Sequence, residues 1–390
     1  MEKVNRSEME PAASSPAEAP SPAEAPGGGP GPFSRRGFLR SLLSLGLGGG
    51  AAVAGAKLSP SFAATPEKGI AEAARAKTAY AVTIHKSQGK IIQSSFSDEE
   101  LKAHSARVPP LRTKNAGEVL TAFDYGKVTR GKDGVTEREY TVIAEDVEVE
   151  VAKGVFYPAW TYNGSVPGPT LRATEGDRLK IHFFNRGSEP HTIHWHGIHP
   201  GNMDGVFEIV PVGGRFTYEF TALPFGVHLY HCHTDPLKKH IEKGLYGAFI
   251  VDPPAGRPKA KELVMVMNGF DTDVDGENEF YTVNGFVNYF VENPIQLRTG
   301  EPVRVYLINL TEFDQINSMH IHAQFFKLFR TGTRLDNYEI TDTVMLCAGE
   351  RCVLEFSYKT PGRFLFHAHQ SEFAELGWLG VFNVKGPTLV

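Results

Sequence analysis

The chain has 390 residues, 41% hydrophobic and 22% charged, with a net charge of −5 and three cysteines. That length allows two or three domains with ample core. No basic stripe is available to neutralise phosphates, which argues against a nucleic-acid partner, and three cysteines are too few for a disulfide framework. Histidine, at 15, is the informative count.

The first 60 residues hold 18 of the 66 glycines and prolines and are foreign in composition to the rest of the chain. Residues 1–33 contain the hexapeptide SPAEAP twice, at 15–20 and 21–26, in a Pro/Ala/Glu/Gly tract with too little apolar surface to offset ordering entropy, so disorder is expected there. Residues 34–64 read as an address. Ser34-Arg35-Arg36-Gly37-Phe38-Leu39 precedes a weakly apolar run from Ser41 to Ala56 and resembles a twin-arginine export signal. The run falls short of the ~20 residues a spanning helix needs, and Ser61-Phe62-Ala63-Ala64 offers small residues for cleavage. A membrane anchor or a chance arginine pair is the bland alternative. The expectation is a product exported to the periplasm or beyond, with no stable membrane span in the mature chain.

Residues 65–137 form an extension, helix-leaning at Ile70 to Ala76 and Asp98 to Ala106, whose role the sequence leaves open. From Tyr140 onward, short β-branched or alternating runs broken by Gly, Pro and Asn predict β-sandwiches rather than βαβ units. They are Tyr140–Ala144, Val147–Val151, Arg178–Phe184, Phe216–Phe220 and Ala248–Val251, then Glu262–Met267, Val303–Asn309, His320–Phe329, Arg351–Tyr358 and Gly380–Val384. Gly176 to Asn185 parallels Gly300 to Asn309, a turn feeding a strand that ends in Asn, so the two sets predict an internal duplication. The expected domains are 138–254 and 259–390, with Asp252 to Pro258 as linker.

The histidines are paired. Scattered at random, 15 would give about half an i,i+2 pair; four are present, His194/His196, His231/His233, His320/His322 and His367/His369, two per domain at matching places. Residues i and i+2 of a strand share a face, so each pair presents two imidazoles to one side. One such pair alone would be a satisfied core feature. Four duplicated pairs point to metal. Cys232, between His231 and His233, has the opposite parity and faces into the first sandwich, as does His191, three residues before His194. With His240 they make a His₂Cys set, the ligand type of a blue copper site. The matching inward positions of the second domain are Asn317 and Ala368, so that domain cannot build the same site.

The stretches His191 to Gly197, His231-Cys232-His233 with His240, Met319 to His322, His367-Ala368-His369 and Tyr162 to Pro169 resemble a multicopper oxidase over about residues 138–388. With blue copper only in the first domain, the chain is similar to two-domain, laccase-like oxidases related to copper nitrite reductases. The resemblance implies an all-β fold of two cupredoxin-like Greek-key sandwiches. It implies four coppers per chain: type 1 on His191, Cys232 and His240; type 2 on His194 and His320; type 3 on His196, His231, His233, His322, His367 and His369. It also implies a homotrimer in which each cluster is shared between domain 1 of one chain and domain 2 of the next. An external reducing substrate would supply electrons and dioxygen would accept them.

Asp204 resembles the family's cluster-side acid, though an Asp before Gly is equally a turn residue; Glu372 and Glu375, near the last pair, are weaker acid candidates whose bland reading is solvated or structural. His240 comes eight residues after Cys232, a longer interval than many oxidases use, and closer to the nitrite reductase loop. Leu245 stands where an axial Met is common, which implies a three-coordinate type 1 site unless Met203 supplies a sulfur. His85, His104, His182, His199 and His228 take the structural reading. Cys347 and Cys352 flank a hairpin-like turn and are either bridged, within the reach of opposed strand residues, or free. A copper nitrite reductase and a non-enzymatic copper or electron carrier are the rival functions.

Overall fold

The computed structural model describes residues 115–390. The tract 1–33, the signal segment 34–64, the helix-leaning stretches at 70–76 and 98–106, and His85 and His104 lie outside the described residues.

Two β-sandwiches are present. The first is built from β1 (Lys127–Arg130), β2 (Thr136–Ala152), β3 (Val155–Tyr162), β4 (Leu171–Thr174), β5 (Arg178–Asn185), β6 (His194–Trp195), β7 (Arg215–Thr221), β8 (Gly226–His231) and β9 (Tyr246–Asp252). The second comprises β10 (Lys261–Phe270), β11 (Phe280–Val283), β12 (Ile295–Arg298), β13 (Val303–Asn309), β14 (Ile316–Ile321), β15 (Phe326–Arg330), β16 (Glu339–Thr341), β17 (Thr343–Cys347), β18 (Arg351–Phe356), β19 (Gly362–His367) and β20 (Leu379–Lys385). In domain 1 the sheet β1-β2-β5-β7, with β3 also on β2, faces β4-β9-β8-β6; in domain 2, β11-β10-β13-β18-β15-β16 faces β12-β20-β19-β14-β17. This all-β architecture agrees with the expected fold.

The duplication extends to hydrogen bonds. β2 runs parallel to β5 as β10 does to β13, and β4 runs parallel to β9 as β12 does to β20. The strand-ending Asn185 and Asn309 are fully buried. Asn185 donates its side-chain amide to the Val210 carbonyl at 2.9 Å and Asn309 to that of Leu346, in β17, at 3.0 Å, so each amide ties the end of its strand to a segment outside its own sheet.

Three boundaries differ from the sequence reading. The runs at 140–144 and 147–151 are one strand, β2, which changes partner along its length: 137–144 pair with β5, and 144–152 pair with β3. The run from His320 to Phe329 is two strands in different sheets, turned at Ala323 (φ 54°). The extension expected to end at 137 is partly domain structure, because β1 pairs with β2. Upstream of it, Ala116 and Leu120 pack into the domain 2 core while the Asp124 carbonyl accepts the domain 1 Arg172 N–H at 2.8 Å. Residues 115–130 thus strap the two domains together.

Each sandwich has its own core, and a third lies between domains, where Val227, Leu229, Tyr246, Ala248 and Ile250 meet Val264, Val266, Tyr306, Ile308 and Val353. Every residue of β8 and β13 is therefore buried. Strands covered on both faces tend toward continuous apolar runs, yet β8 also carries His228 and His231, and β13 carries Arg304 and Asn309. Beside this core, Arg172 holds Asp252 at 2.7 Å and Glu262 at 2.8 Å, and Arg304 holds Glu355 at 2.7 Å, fixing the linker.

Cys347 and Cys352 are free thiols, one exposed and one buried. Their turn is a crossover and not a hairpin: Cys347 faces Ile316 in one sheet and Cys352 faces Leu307 in the other. The turn between them is gripped by Asn309, whose carbonyl accepts Gly349 N–H at 2.8 Å.

Candidate metal centres

Three elements build the first centre. Cys232 follows β8 and donates its backbone N–H to the Leu245 carbonyl at 2.9 Å; His191 exchanges backbone bonds with Val210 at 3.1 and 3.0 Å; His240 rides on the helix Leu237–Glu242. Cys232 Sγ lies 3.3 Å from His240 Nδ1 and 3.9 Å from His191 Nδ1, and the two nitrogens are 3.2 Å apart. All three side chains are buried. Burial lowers His191 to about 3 and His240 to about 4 and raises the Cys232 thiol, so both rings are neutral. A soft sulfur and two neutral imidazole nitrogens converging in an apolar site suit copper. The Thr192 N–H points at the sulfur from 3.4 Å, and Trp160 covers both imidazoles at centroid distances of 5.3 and 4.8 Å.

Leu245 is fully buried in the same apolar cluster as Cys232 and Trp160 and has no donor atom. The Met203 sulfur accepts the Glu219 N–H at 3.3 Å and packs against the same cluster. In domain 2 the matching positions Asn317 and Ala368 are buried, and Asn317 bonds Thr311 Oγ1 at 3.0 Å.

The four pairs form two matched quartets. His194 opposes His231 across β6 and β8, and His320 opposes His367 across β14 and β19. Ring centroids are 5.2 Å (His194–His196), 5.1 Å (His194–His231), 5.3 Å (His194–His233) and 5.9 Å (His231–His233). The corresponding values in domain 2 are 5.1, 5.5, 5.5 and 5.8 Å. Backbone carbonyls fix the rings in the same way: Nδ1 of His194 and His320 donate to Asp204 and Asp342 (2.8 and 2.9 Å), and those of His231 and His367 to Cys232 and Ala368 (2.9 and 2.6 Å). With Nδ1 donating, a neutral ring offers Nε2 to a metal. His196 Nε2 faces His231 Nε2 at 3.3 Å, and His322 Nε2 faces His367 Nε2 at 3.0 Å. Burial lowers His196 to about 3 and His231 to about 4. Each group of converging ligand atoms belongs to one domain.

Asp204 sits at the first quartet, its Oδ1 3.2 Å from His194 Nδ1 and 3.6 Å from His199 Nε2. His199, read from the sequence as structural, thus joins the acid's surroundings. Glu372 is exposed on the helix Ser371–Glu375; beside the last pair it is Ser318 that accepts the His369 N–H, at 2.8 Å. Glu375 is exposed on the same helix. His228 is buried and bonds the Pro224 carbonyl at 2.8 Å, a structural role. The sequence reading missed Asp342 and Arg351. The latter reaches from domain 2 to within 3.4 Å of His196 Nδ1. The duplication was the signal for Asp342, whereas nothing in the sequence marked Arg351. An acidic loop with Asp271, Asp273, Asp275 and Glu279 uses its carboxylates on its own amides, such as Asp271 Oδ2 on Gly276 N–H at 2.8 Å.

Family profiles described as multicopper oxidase match residues 144–256 and 258–387. The chain belongs to the multicopper oxidase family. It is 51% identical to a multicopper oxidase of known crystal structure, covering 70% of this chain and 97% of that one with a TM-score of 0.69. The copper-containing nitrite reductase of Neisseria meningitidis serogroup B is 30% identical over 70% of this chain and 74% of its own length. A copper nitrite reductase structure from Nitrosomonas europaea is 27% identical, covering 64% and 94% of the two chains, with a TM-score of 0.60. Membership carries copper binding and oxidoreductase chemistry with it.

Proposed function

We propose that this multicopper oxidase is laccase-like: electrons from an external reducing substrate are accepted at the Cys232 site and used at the histidine quartets. Copper on these residues would supply the one-electron steps and the four-electron, four-proton reduction of dioxygen to water. The chain's own contribution is placement. His231-Cys232-His233 is one continuous peptide, so the buried thiol and two quartet histidines are joined covalently. Carbonyl-fixed Nδ1 atoms aim Nε2 outward on both quartets, and Asp204, whose carboxylate lies 3.2 Å from His194 Nδ1, is the acid that would pass protons to the reduced oxygen. Because each quartet draws on one domain, we propose a cyclic homotrimer in which domain 1 of one chain meets domain 2 of the next; closed symmetry completes every site. The resulting complement is four coppers per chain.

The observation that carries this reading is the second quartet, matched to the first in register and in carbonyl partners. A nitrite reductase, the reading the Neisseria similarity favours, needs three histidines at its second copper and leaves the others without a task. An electron carrier needs none of the eight. The twin-arginine-like segment at 34–39 supports export to the periplasm or beyond. Copper per chain, measured with oxygen uptake on phenolic, metal-ion and protein donors, separates the three. Four coppers with oxygen consumed supports the oxidase; two coppers with nitrite consumed, or one copper and no turnover, would overturn it.

A further inference from the structure

The two acid-bearing turns differ at one atom. In domain 1 the Asp204 carboxylate itself stands 3.2 Å from His194 Nδ1, beside its carbonyl at 2.8 Å. In domain 2 the Asp342 carbonyl matches at 2.9 Å, but the carboxylate is 3.9 Å away. Thr343 Oγ1 fills the difference, 2.9 Å from His320 Nδ1 and 3.0 Å from Asp342 Oδ1. The backbone explains why only one turn has the hydroxyl. The residue after Asp204 is Gly205, with φ +71°, where a Cβ would fall 1.8 Å from the Ile193 carbonyl oxygen, so no side chain fits. Thr343 opens β17, in register opposite His320, and its N–H and carbonyl are both held by Thr341 Oγ1 at 3.3 and 2.9 Å.

The proton directions are set by the partners. Carbonyl and carboxylate oxygens only accept, so His320 Nδ1 donates, and the hydroxyl accepts from the ring while donating to Asp342. Building on the proposed oxidase, we infer that Thr343 is a positioning residue for the type 2 ligand His320. It fixes the ring and keeps the Asp342 carboxylate off it, so the two type 2 histidines are backed unequally, His194 by a carboxylate and His320 by a hydroxyl.

The test uses full-length Thr343→Val and Thr343→Ala, each lacking the hydroxyl, and Thr343→Ser, which restores it. In the metal-free protein the His320 Nδ1–H resonance, assigned by its loss in His320→Gln, should exchange with solvent faster in the Val and Ala variants and return to the wild-type rate in Ser. The His367 resonance should stay unchanged in all three, which guards against general loosening. On copper loading, the type 2 dissociation constant should rise about tenfold in Val and Ala, the low end for losing a group that supports a metal-bound histidine. Unchanged exchange and affinity in Val and Ala, or a Ser variant that behaves like Val, would overturn the role. Wild-type protein that binds copper at His320 yet consumes no oxygen would defeat the proposed function and leave Thr343 standing.

Discussion

His194 lies directly opposite His231 across an antiparallel strand pair, and the same register places His320 opposite His367. Opposed residues of such a pair bring their Cβ atoms to roughly 5 Å, so this one pairing, with the i,i+2 partners His196, His233, His322 and His369, generates each quartet. One backbone solution is used twice. What differs is the residue of opposite parity: Cys232 in the first domain, Ala368 in the second.

Cys232→Ser should abolish the intense blue absorption and stop turnover with external donors, because among the described residues the Cys232 thiol is the sulfur that converges on His191 and His240. Copper bound at the quartets should persist, since those rings point away from the thiol. Absorption spectra and copper analysis check this; a variant that stays blue places the type 1 copper elsewhere.

Leu245→Met would put a thioether into the fully buried position that comes after the type 1 helix. An axial thioether favours the cupric state, so the site's reduction potential should fall and, with it, the rate with weakly reducing donors. Leu and Met are close in volume, and the stability cost should stay under about 1.5 kcal/mol. Redox titration decides; an equal or higher potential shows that residue 245 does not face the copper.

The eight histidines and Cys232 were legible because strand periodicity converts sequence parity into faces, and the duplication made the pattern repeat. The inward placement of His191 and Cys232 also came from parity, and His240 completed the His₂Cys set as the histidine downstream. Asp342 was signalled only by the duplication, as the counterpart of Asp204, and Thr343 was not legible: it opens β17, which contacts His320 through strand pairing, and pairing partners far apart in sequence leave no periodic mark. The strap at 115–130 was missed for a related reason. Its apolar residues Ala116 and Leu120 serve the core of the distant second domain, and its strand β1 is exposed on all four residues. The split of β2 into two runs records its change of partner near Ala144.

Burial holds His191 and His196 at about 3 and His231 and His240 at about 4, below the 6.5 of a free imidazole. The unfolded chain therefore binds protons that the metal-free fold refuses. Stability from these groups is fully present above about pH 6.5 and is lost as pH falls toward 4 and then 3. Thermal melts of metal-free protein should show Tm steady above pH 7 and declining steadily below 6.5. A Tm that rises on acidification would contradict this.

The central claim is that each copper cluster is completed by a second chain. His196→Ala removes a ligand from the domain 1 quartet, and His367→Ala removes one from the domain 2 quartet; each variant alone should form trimers lacking an intact cluster. Co-assembled with different tags and purified through both, mixed trimers contain an interface where the intact domain 1 of one variant meets the intact domain 2 of the other. The account predicts that these mixed trimers regain cluster copper and oxygen uptake that neither parent shows. Mixed trimers as inactive as their parents would contradict it.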